Sequence, residues 1–202
     1  QNSEIEGIDI MLAIDVSTSM LAEDLKPNRL EAAKDVAAEF INGRPNDNIG
    51  ITLFAGETFT QCPLTVDHAV LLDMIHNIKC GLITDGTAVG MGIANAVTRL
   101  KDSKAKSKVI ILLTDGTNNK GDISPMTAAE IAKSFGIRVY TIGVGTNGMA
   151  PYPYPVGNTV QYVSMPVEID EKTLTEIAGT TDGNYFRATS NSKLKEVYEE
   201  ID

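Results

Sequence analysis

Four stretches of the chain are almost continuously apolar over seven to ten residues. Each is bounded by Gly, Asn, Lys or Asp, and each is too short for a typical helix. Such runs are typical of parallel strands that are covered on both faces. We therefore predict four buried strands, at Ile8–Asp15, Asn48–Ala55, Lys108–Asp115 and Gly136–Gly145.

Segments with apolar residues at helical spacing alternate with these runs. Each opens on a residue that commonly caps a helix. The predicted helices begin at Asn28 (with Glu31 three residues later), Asp67, Thr87, Ser124-Pro125, Asp170 and Ser190, the last running to the C-terminus. Strands that alternate with helices predict a three-layer α/β/α sandwich with a doubly wound, mostly parallel sheet. Thr58–Cys62 is expected to add an antiparallel edge strand, and Gly183–Arg187 a strand at the opposite edge.

The segment from Thr146 to Ile169 interrupts this alternation. It contains four prolines and is too long for an ordinary connection between a strand and a helix. We expect an inserted loop or a hairpin, within a single domain that covers residues 1–202. The segment carries half of the chain's six tyrosines. It is either a surface excursion that packs on itself or a recognition loop, because tyrosine is favoured at contact surfaces.

Composition narrows the classes of partner. The net charge of −10 argues against nucleic acid and anionic membrane surfaces. No apolar run approaches the roughly 18 to 20 residues of a membrane span, and the polar, acidic first residues do not resemble a signal peptide. Because the sequence begins without Met and ends inside a predicted helix, we expect it to be part of a longer protein. We interpret Cys62 and Cys80 as small buried or half-buried residues, and a single disulfide between them is the alternative.

Polar oxygens gather at the predicted ends of two strands. Asp15, Ser17 and Ser19 follow the first strand at alternate positions, where an extended chain would aim them in one direction. Asp115 ends the strand predicted at Lys108–Asp115, and Thr87 begins the helix that leads into that strand. Ligands of open α/β sheets bind outside the carboxyl ends of strands, where the strand order reverses. We therefore predict one metal site made of these five residues.

The ligand types predict the chemistry of that site. Three neutral hydroxyls and two carboxylates are hard oxygen ligands, which suit Mg²⁺, with Mn²⁺ or Ca²⁺ as alternatives. An ion held by so few charges keeps much of its own positive charge. Its exchangeable position would accept an Asp or Glu carboxylate from a protein partner. The predicted role is binding, and it requires no nucleophile.

Three motifs carry a family resemblance: DVSTSM at 15–20, GT at 86–87 and LLTDG at 112–116. Together they resemble the metal-ion-dependent adhesion site of the von Willebrand factor A domain, whose pattern is DxSxS, then T, then D. The resemblance covers nearly the whole chain and implies the same five ligands. Thr18 stands where the family often has glycine.

The following stretch, MLAEDLKPNRLEAAK, is similar to the bacterial Bat proteins, which are named for aerotolerance in Bacteroides. This resemblance implies an inner-membrane protein whose A domain faces the periplasm and whose membrane anchors lie outside this sequence. It also implies partners among other Bat proteins and a MoxR-type AAA+ ATPase.

Several alternatives concern single residues or the whole function. The strongest enzymatic alternative is a magnesium-dependent phosphoryl-transfer enzyme with Asp15 as nucleophile, similar to haloacid-dehalogenase-like phosphatases. Those enzymes need a second aspartate where Ser17 stands. A flavodoxin-like module is a weaker alternative, because Asp15 would repel a phosphate.

We predict structural roles for the polar residues near the site: Asp85 in its loop, Asn118 and Asn119 in a turn, Glu23 and Asp24 on a solvated face.

Overall fold

The computed structural model describes residues 7–188 and 199–201. The strands are β1 (Ile8–Asp15), β2 (Asn48–Phe54), β3 (Thr58–Thr65), β4 (Ser107–Thr114), β5 (Ile137–Gly143), β6 (Gly148–Val156), β7 (Thr159–Val167) and β8 (Tyr185–Arg187). The helices are α1 (Arg29–Gly43), α2 (His68–His76), α3 (Val89–Leu100), α4 (Pro125–Ser134) and α5 (Glu171–Thr180), and a short 3-10 turn, Thr18–Leu21, follows β1. The helix predicted from Ser190 falls mostly outside the described residues, of which 199–201 are helical.

One sheet has the strand order β3–β2–β1–β4–β5–β8. Strands β1, β2, β4, β5 and β8 pair in parallel, and β3 pairs antiparallel with β2. The chain builds outward from β1 to β3 and then crosses to β4 on the other side of β1. This confirms the predicted doubly wound, mostly parallel sheet with one antiparallel edge strand. It also places the reversal of strand order between β1 and β4.

The core has two halves, one on each face of the sheet. Alternate residues of β1 enter different halves: Ile10, Leu12 and Ile14 pack with α1 and α2, whereas Met11 and Ala13 pack with α3, α4 and α5. This double burial is the reason that the strand is apolar at every position from Ile10 to Ile14. No helix in the described ranges is long and apolar enough to cross a membrane.

Four predicted helix starts use the expected side chains. Each side chain accepts a hydrogen bond from a backbone N–H three residues later: Asn28 at 2.8 Å, Asp67 at 3.2 Å, Ser124 at 3.1 Å and Asp170 at 3.1 Å. Each side chain satisfies a backbone donor that has no partner within the helix. The local sequence therefore fixes where α1, α2, α4 and α5 begin.

The segment from Thr146 to Ile169 contains β6 and β7, which form a separate antiparallel hairpin closed by a two-residue turn. Nearly every residue of β7 is exposed, and so is much of β6. The side chains exposed on this hairpin include Met149, Tyr154, Val156, Val160, Tyr162, Val163 and Met165. Most of these apolar side chains are thus in contact with solvent rather than with the body of the protein.

Candidate functional site

The two predicted carboxylates lie side by side at the carboxyl edge of the sheet. Asp15 is the last residue of β1, and Asp115 follows the last residue of β4, the strand that pairs with β1. Both residues are buried, with exposed fractions of 0% and 1%. Because strand order reverses between these two strands, the site lies where open α/β sheets bind ligands.

A chain of hydrogen bonds joins the two carboxylates through the two serines. The Ser17 hydroxyl donates to Asp15 Oδ1 at 2.6 Å and lies 3.0 Å from Ser19 Oγ. The Ser19 hydroxyl donates to Asp115 Oδ2 at 2.7 Å. Neighbouring oxygens around an octahedral Mg²⁺ ion, with bonds of about 2.1 Å, lie about 3 Å apart. The spacing of these four oxygens therefore fits a small divalent cation.

The serines reach the site by a different backbone path from the one expected. Ser17 has an extended conformation, but Ser19 lies in the 3-10 turn. The prediction that alternate positions on an extended chain aim all three side chains together is therefore wrong for Ser19. The chain turns after Ser17, and the turn itself brings Ser19 back towards Asp115.

Thr18 and Asp85 hold this turn in place. The Asp85 carboxylate accepts hydrogen bonds from the Thr18 backbone N–H at 3.1 Å and from its hydroxyl at 2.9 Å. Burial alone would raise the pKa of Asp85, but these bonds and one from the Gly86 backbone hold it below its usual value. Thr18, which stands where the similar family often has glycine, thus attaches the turn to the loop that precedes Thr87.

The predicted start of α3 at Thr87 is wrong. The helix begins at Val89, and its cap position, Ala88, has no side chain that could accept a hydrogen bond. Asn118 and Asn119 replace the missing cap from the loop after β4: they accept from the backbone N–H groups of Val89 at 3.0 Å and Thr87 at 2.9 Å. They are therefore more than turn residues, because they attach the start of α3 to the strand end that carries Asp115.

Because Asn118 and Asn119 supply the cap of α3, the Thr87 hydroxyl is not used for capping. Among the described residues it makes no hydrogen bond, although Thr87 is 4% exposed. Thr87, Ser19 and Asp115 line the same open cavity, which has a volume of about 330 Å³. The structure thus places four of the predicted residues in one hydrogen-bonded chain and directs the fifth to the same cavity.

The environment of Asp15 makes its charge costly unless a cation is near. Burial, and then the neighbouring charge of Asp115, raise the pKa of Asp15 to about 7, against the opposing effect of hydrogen bonds from Ser17 and Thr114. The Thr114 hydroxyl donates to Asp15 Oδ2 at 2.7 Å. A divalent cation would reverse this balance by favouring the ionised form.

The donor set differs from that of a typical carboxylate-rich or zinc site. Within the described ranges, no three His, Cys, Asp or Glu side chains lie together in a way that could hold a metal ion. The site here has two carboxylates and three hydroxyls, which are hard oxygen donors. These donor types fit Mg²⁺ or a similar hard cation.

A buried arginine that the sequence reading did not identify completes the site. Arg29 is 2% exposed, and its guanidinium pairs with both oxygens of Asp24 at 2.7 Å and with Asp115 Oδ2 at 3.2 Å. One signal was available: Arg29 is the first residue of α1, where a cation opposes the helix dipole. A cation there requires a compensating anion, and two are present.

Asp24, which was expected on a solvated face, is buried in this cluster. Its side chain is 4% exposed, and it also accepts from the backbone N–H of Thr146 at 2.8 Å. Burial would raise its pKa, but the hydrogen bonds from Arg29 and Thr146 hold the pKa of Asp24 below its ordinary value. Glu23, its neighbour, is largely shielded as well, with 21% of its side chain exposed.

The same cluster connects the site to the hairpin. Gly145, just before Thr146, has a φ of 144°, and a Cβ there would come within 2.7 Å of Arg29 Cζ. Only glycine fits this conformation and this close approach. From the hairpin, the Tyr152 hydroxyl donates to the Thr18 carbonyl at 3.0 Å. Arg29 and Tyr152 thus bind the hairpin base to the loop that carries the serines.

Both cysteines are free thiols. Cys80 lies beside the site, and its thiol donates to the Ser17 carbonyl at 3.4 Å. Burial and the negative charge of Asp15 raise the pKa of Cys80 to about 12. The group therefore remains a neutral thiol that supports the loop, since only the thiolate is a good nucleophile or ligand.

Comparison with known proteins shows which family profile and which solved structures this chain is similar to. Residues 9–200 match the profile of the von Willebrand factor type A domain. A crystal structure of an aerotolerance-related membrane protein from Bacteroides fragilis, with multiple mutations to serines, is 35% identical and has a TM-score of 0.88, covering 96% of this chain and 98% of that one. The conserved hypothetical protein BatB from Bacteroides thetaiotaomicron is also 35% identical, with a TM-score of 0.87 over 96% of this chain and 97% of that one.

A UPF0353 protein from Mycolicibacterium paratuberculosis is 32% identical over 203 residues, which cover 94% of this chain and 58% of the relative. An uncharacterized protein from Borreliella burgdorferi is 31% identical over 182 residues, or 89% of this chain and 53% of the relative. The chain thus spans little more than half the length of the curated relatives that it matches.

The raised pKa of Asp15 predicts how stability depends on pH in the absence of metal. An unfolded aspartate has a pKa of about 3.9, so between about pH 4 and pH 7 the native state holds a proton that the unfolded state has lost. The contribution of Asp15 to the free energy of unfolding therefore decreases as pH rises through this window. Asp15→Asn cannot titrate. The difference in free energy of unfolding between the variant and the wild type should therefore shift in favour of the variant as pH rises from about 5 to about 8.

Urea unfolding of both proteins in EDTA at these two pH values measures the effect. A difference in free energy of unfolding between variant and wild type that is the same at both values would show that the native Asp15 carboxyl is not protonated in this range.

The buried ion pairs of Arg29 predict a large loss of stability when the cation is removed. Arg29→Met keeps an aliphatic side chain of similar length but leaves two buried carboxylates without their partner, which typically costs about 3–5 kcal/mol. Arg187→Met is the matched control, because Arg187 pairs with Glu171 at the surface, where 40% and 37% of the two side chains are exposed. That change should cost at most about 1 kcal/mol. Equal free energies of unfolding for the two variants would contradict the structural role given to Arg29.

Proposed function

The chain belongs to the von Willebrand factor type A domain family, and we propose that it is a protein-binding domain that holds a carboxylate of its partner through a divalent cation. One observation carries this proposal. Asp15, Ser17, Ser19 and Asp115 form a continuous chain of oxygens spaced 2.6 to 3.0 Å apart. The Thr87 hydroxyl, which has no partner among the described residues, borders the same cavity.

The proposed metal ligands are Asp15, Ser17, Ser19, Thr87 and Asp115, and Mg²⁺ is the preferred ion, with Mn²⁺ or Ca²⁺ as alternatives. The ion supplies positive charge at the surface of an otherwise acidic protein. Three of the ligands are neutral, so the formal charge of the two carboxylates balances that of the ion without exceeding it. Ser19 is exposed to solvent and marks the side from which a partner can approach.

The chain's own residues adapt the site to an anionic partner. Arg29 adds a fixed positive charge behind Asp115, in a buried position where solvent screens it little. The cavity lining also includes Tyr152 and Met165 from the hairpin, which form its hairpin wall. A partner would thus place its carboxylate at the metal and apolar atoms against the hairpin wall.

The proposal extends to the whole protein only through the relatives. The Bacteroides fragilis relative is described as an aerotolerance-related membrane protein, which supports a membrane-anchored bacterial protein with a role in aerotolerance or stress. We further propose that this domain faces the periplasm, with its anchors outside this sequence, and that its partners include other Bat proteins and a MoxR-type ATPase.

The enzymatic alternative has less support from the geometry. A nucleophilic Asp15 would need an accessible carboxylate oxygen, but the residue is fully buried and both oxygens accept hydrogen bonds, from Ser17 and Thr114. The second aspartate that such a phosphatase requires is replaced by Ser17. Hydrolysis of a generic phosphate ester that disappears in Asp15→Ala would revive this alternative.

Magnesium titration tests the proposed ligands directly. Thr87→Val removes one hydroxyl at nearly constant volume and should weaken Mg²⁺ binding about tenfold or more, because even loss of an outer partner of a metal ligand commonly costs 10- to 100-fold. Asp15→Ala should abolish binding. Thr117→Val is the control, since Thr117 lines the same cavity but is not a proposed ligand and keeps its backbone bond to Asp115. Equal calorimetric affinities for all three variants and the wild type would refute the site.

A further inference from the structure

The hairpin formed by β6 and β7 has two edges of different character. On β6, Pro151, Pro153 and Pro155 occupy alternate positions and pair with Ser164, Tyr162 and Val160 of β7. Proline has no N–H, so these positions face away from β7, as the Pro151 carbonyl confirms by accepting a hydrogen bond from the backbone of Glu23 at 2.9 Å. The outer edge of β6 therefore lacks the donors that another strand would need.

The outer edge of β7 is open. The prolines and the residues opposite them form the non-hydrogen-bonded pairs of the hairpin. The backbone N–H and C=O groups of Val160, Tyr162 and Ser164 therefore point away from β6. Within the described part of the chain, no strand other than β6 pairs with β7. The side chains of Val160 and Tyr162 are 57% and 62% exposed. Three consecutive pairing positions are thus available to another strand.

The open edge lacks the usual protection against pairing. Residues 148–167 include no Asp, Glu, Lys or Arg, although the chain as a whole carries a net charge of −10. Edge strands of soluble proteins are commonly protected by charges or prolines. Three prolines occupy the outward positions of β6, whereas β7 has one, Pro166, which lies beyond the three outward residues named above. A two-stranded hairpin with both faces largely exposed is also marginally stable by itself. An added strand would supply the missing backbone hydrogen bonds and cover apolar side chains.

We propose that the β7 edge pairs with the β7 edge of a second copy of this chain, in antiparallel orientation around a two-fold axis at Tyr162. In this register Tyr162 pairs with its own copy, and Val160 of each molecule pairs with Ser164 of the other. All three outward residues are then used, for about six backbone hydrogen bonds. The interface is isologous, as in most two-fold dimers.

The same features limit the assembly to two copies. The shared sheet has the order β6–β7–β7–β6, and both of its outer edges carry the three prolines, so no further strand can add. The nine residues of β7 span about 30 Å. Antiparallel pairing therefore places the two hairpin bases at opposite ends of the shared sheet.

A second copy is favoured over a strand from another protein because the edge is complementary to itself. Its donors and acceptors are symmetric about Tyr162, and it carries no charge that would select an oppositely charged partner or repel its own copy. This interface does not involve the metal ligands, and it goes beyond the proposed function.

The test introduces prolines at outward positions of β7, as the native sequence has them on β6. Val160→Pro with Ser164→Pro removes two outward N–H groups but no hydrogen bond of the hairpin, whereas Val160→Thr with Ser164→Thr is the matched control that keeps both. Sedimentation equilibrium from about 10 µM to about 500 µM, in magnesium and in EDTA, should show a dimer for the wild type and the threonine control. The proline variant should dissociate at least tenfold more readily.

Amide hydrogen exchange identifies the interface independently of the variants. The amides of Val160, Tyr162 and Ser164 should become protected in the wild type as protein concentration rises, while the inward amides of Gln161 and Val163 should change little. A wild-type protein that stays monomeric up to the highest concentration overturns the proposal. A dimer that is lost in EDTA, or one whose three outward amides stay unprotected, overturns it as well, because the contact would then lie at the metal or elsewhere.

Discussion

Two buried carboxylates at the ends of adjacent strands are the constraint on which the site depends. Asp15 and Asp115 lie next to each other because β1 and β4 pair in parallel at the centre of the sheet. Two like charges in such a place are unfavourable unless hydrogen bonds and a cation compensate them. The protein provides the hydroxyls of Ser17, Ser19 and Thr114 and the guanidinium of Arg29. A divalent cation would complete the compensation, and an open coordination position on it would accept the carboxylate of a partner.

The same compensation couples the site to the surface around it. Arg29 reaches from Asp115 to Asp24, and Asp24 holds the backbone of Thr146 at the base of the hairpin. This hydrogen-bonded cluster therefore joins Asp115 to the base of the segment that carries Tyr152 and Met165. The candidate metal ligands Ser19, Thr87 and Asp115 line the same cavity as these two hairpin residues, so a protein that binds at the cavity would contact both.

The sequence predicted which residues gather at the strand ends, but not the residues whose partners are distant. Asp15, Ser17, Ser19 and Asp115 could be found because a buried strand followed by polar oxygens is visible locally. The start of α3 was wrong, because its cap comes from Asn118 and Asn119 rather than from Thr87. The burial of Asp24 was missed because it depends on Thr146, which lies 122 residues away. The unequal edges of the hairpin were already implied by alternate prolines, but only the register of β6 and β7 gives them meaning.

The most direct test of the account is whether protein binding requires the metal. In Mg²⁺, the immobilised domain should retain a set of proteins from solubilised membranes of the organism that encodes it. It should lose that set both in EDTA and when Thr87→Val replaces the wild type, as measured by quantitative mass spectrometry. Recovery of the same proteins in the same amounts under all three conditions would contradict the central claim that a divalent cation bridges this domain to its partner.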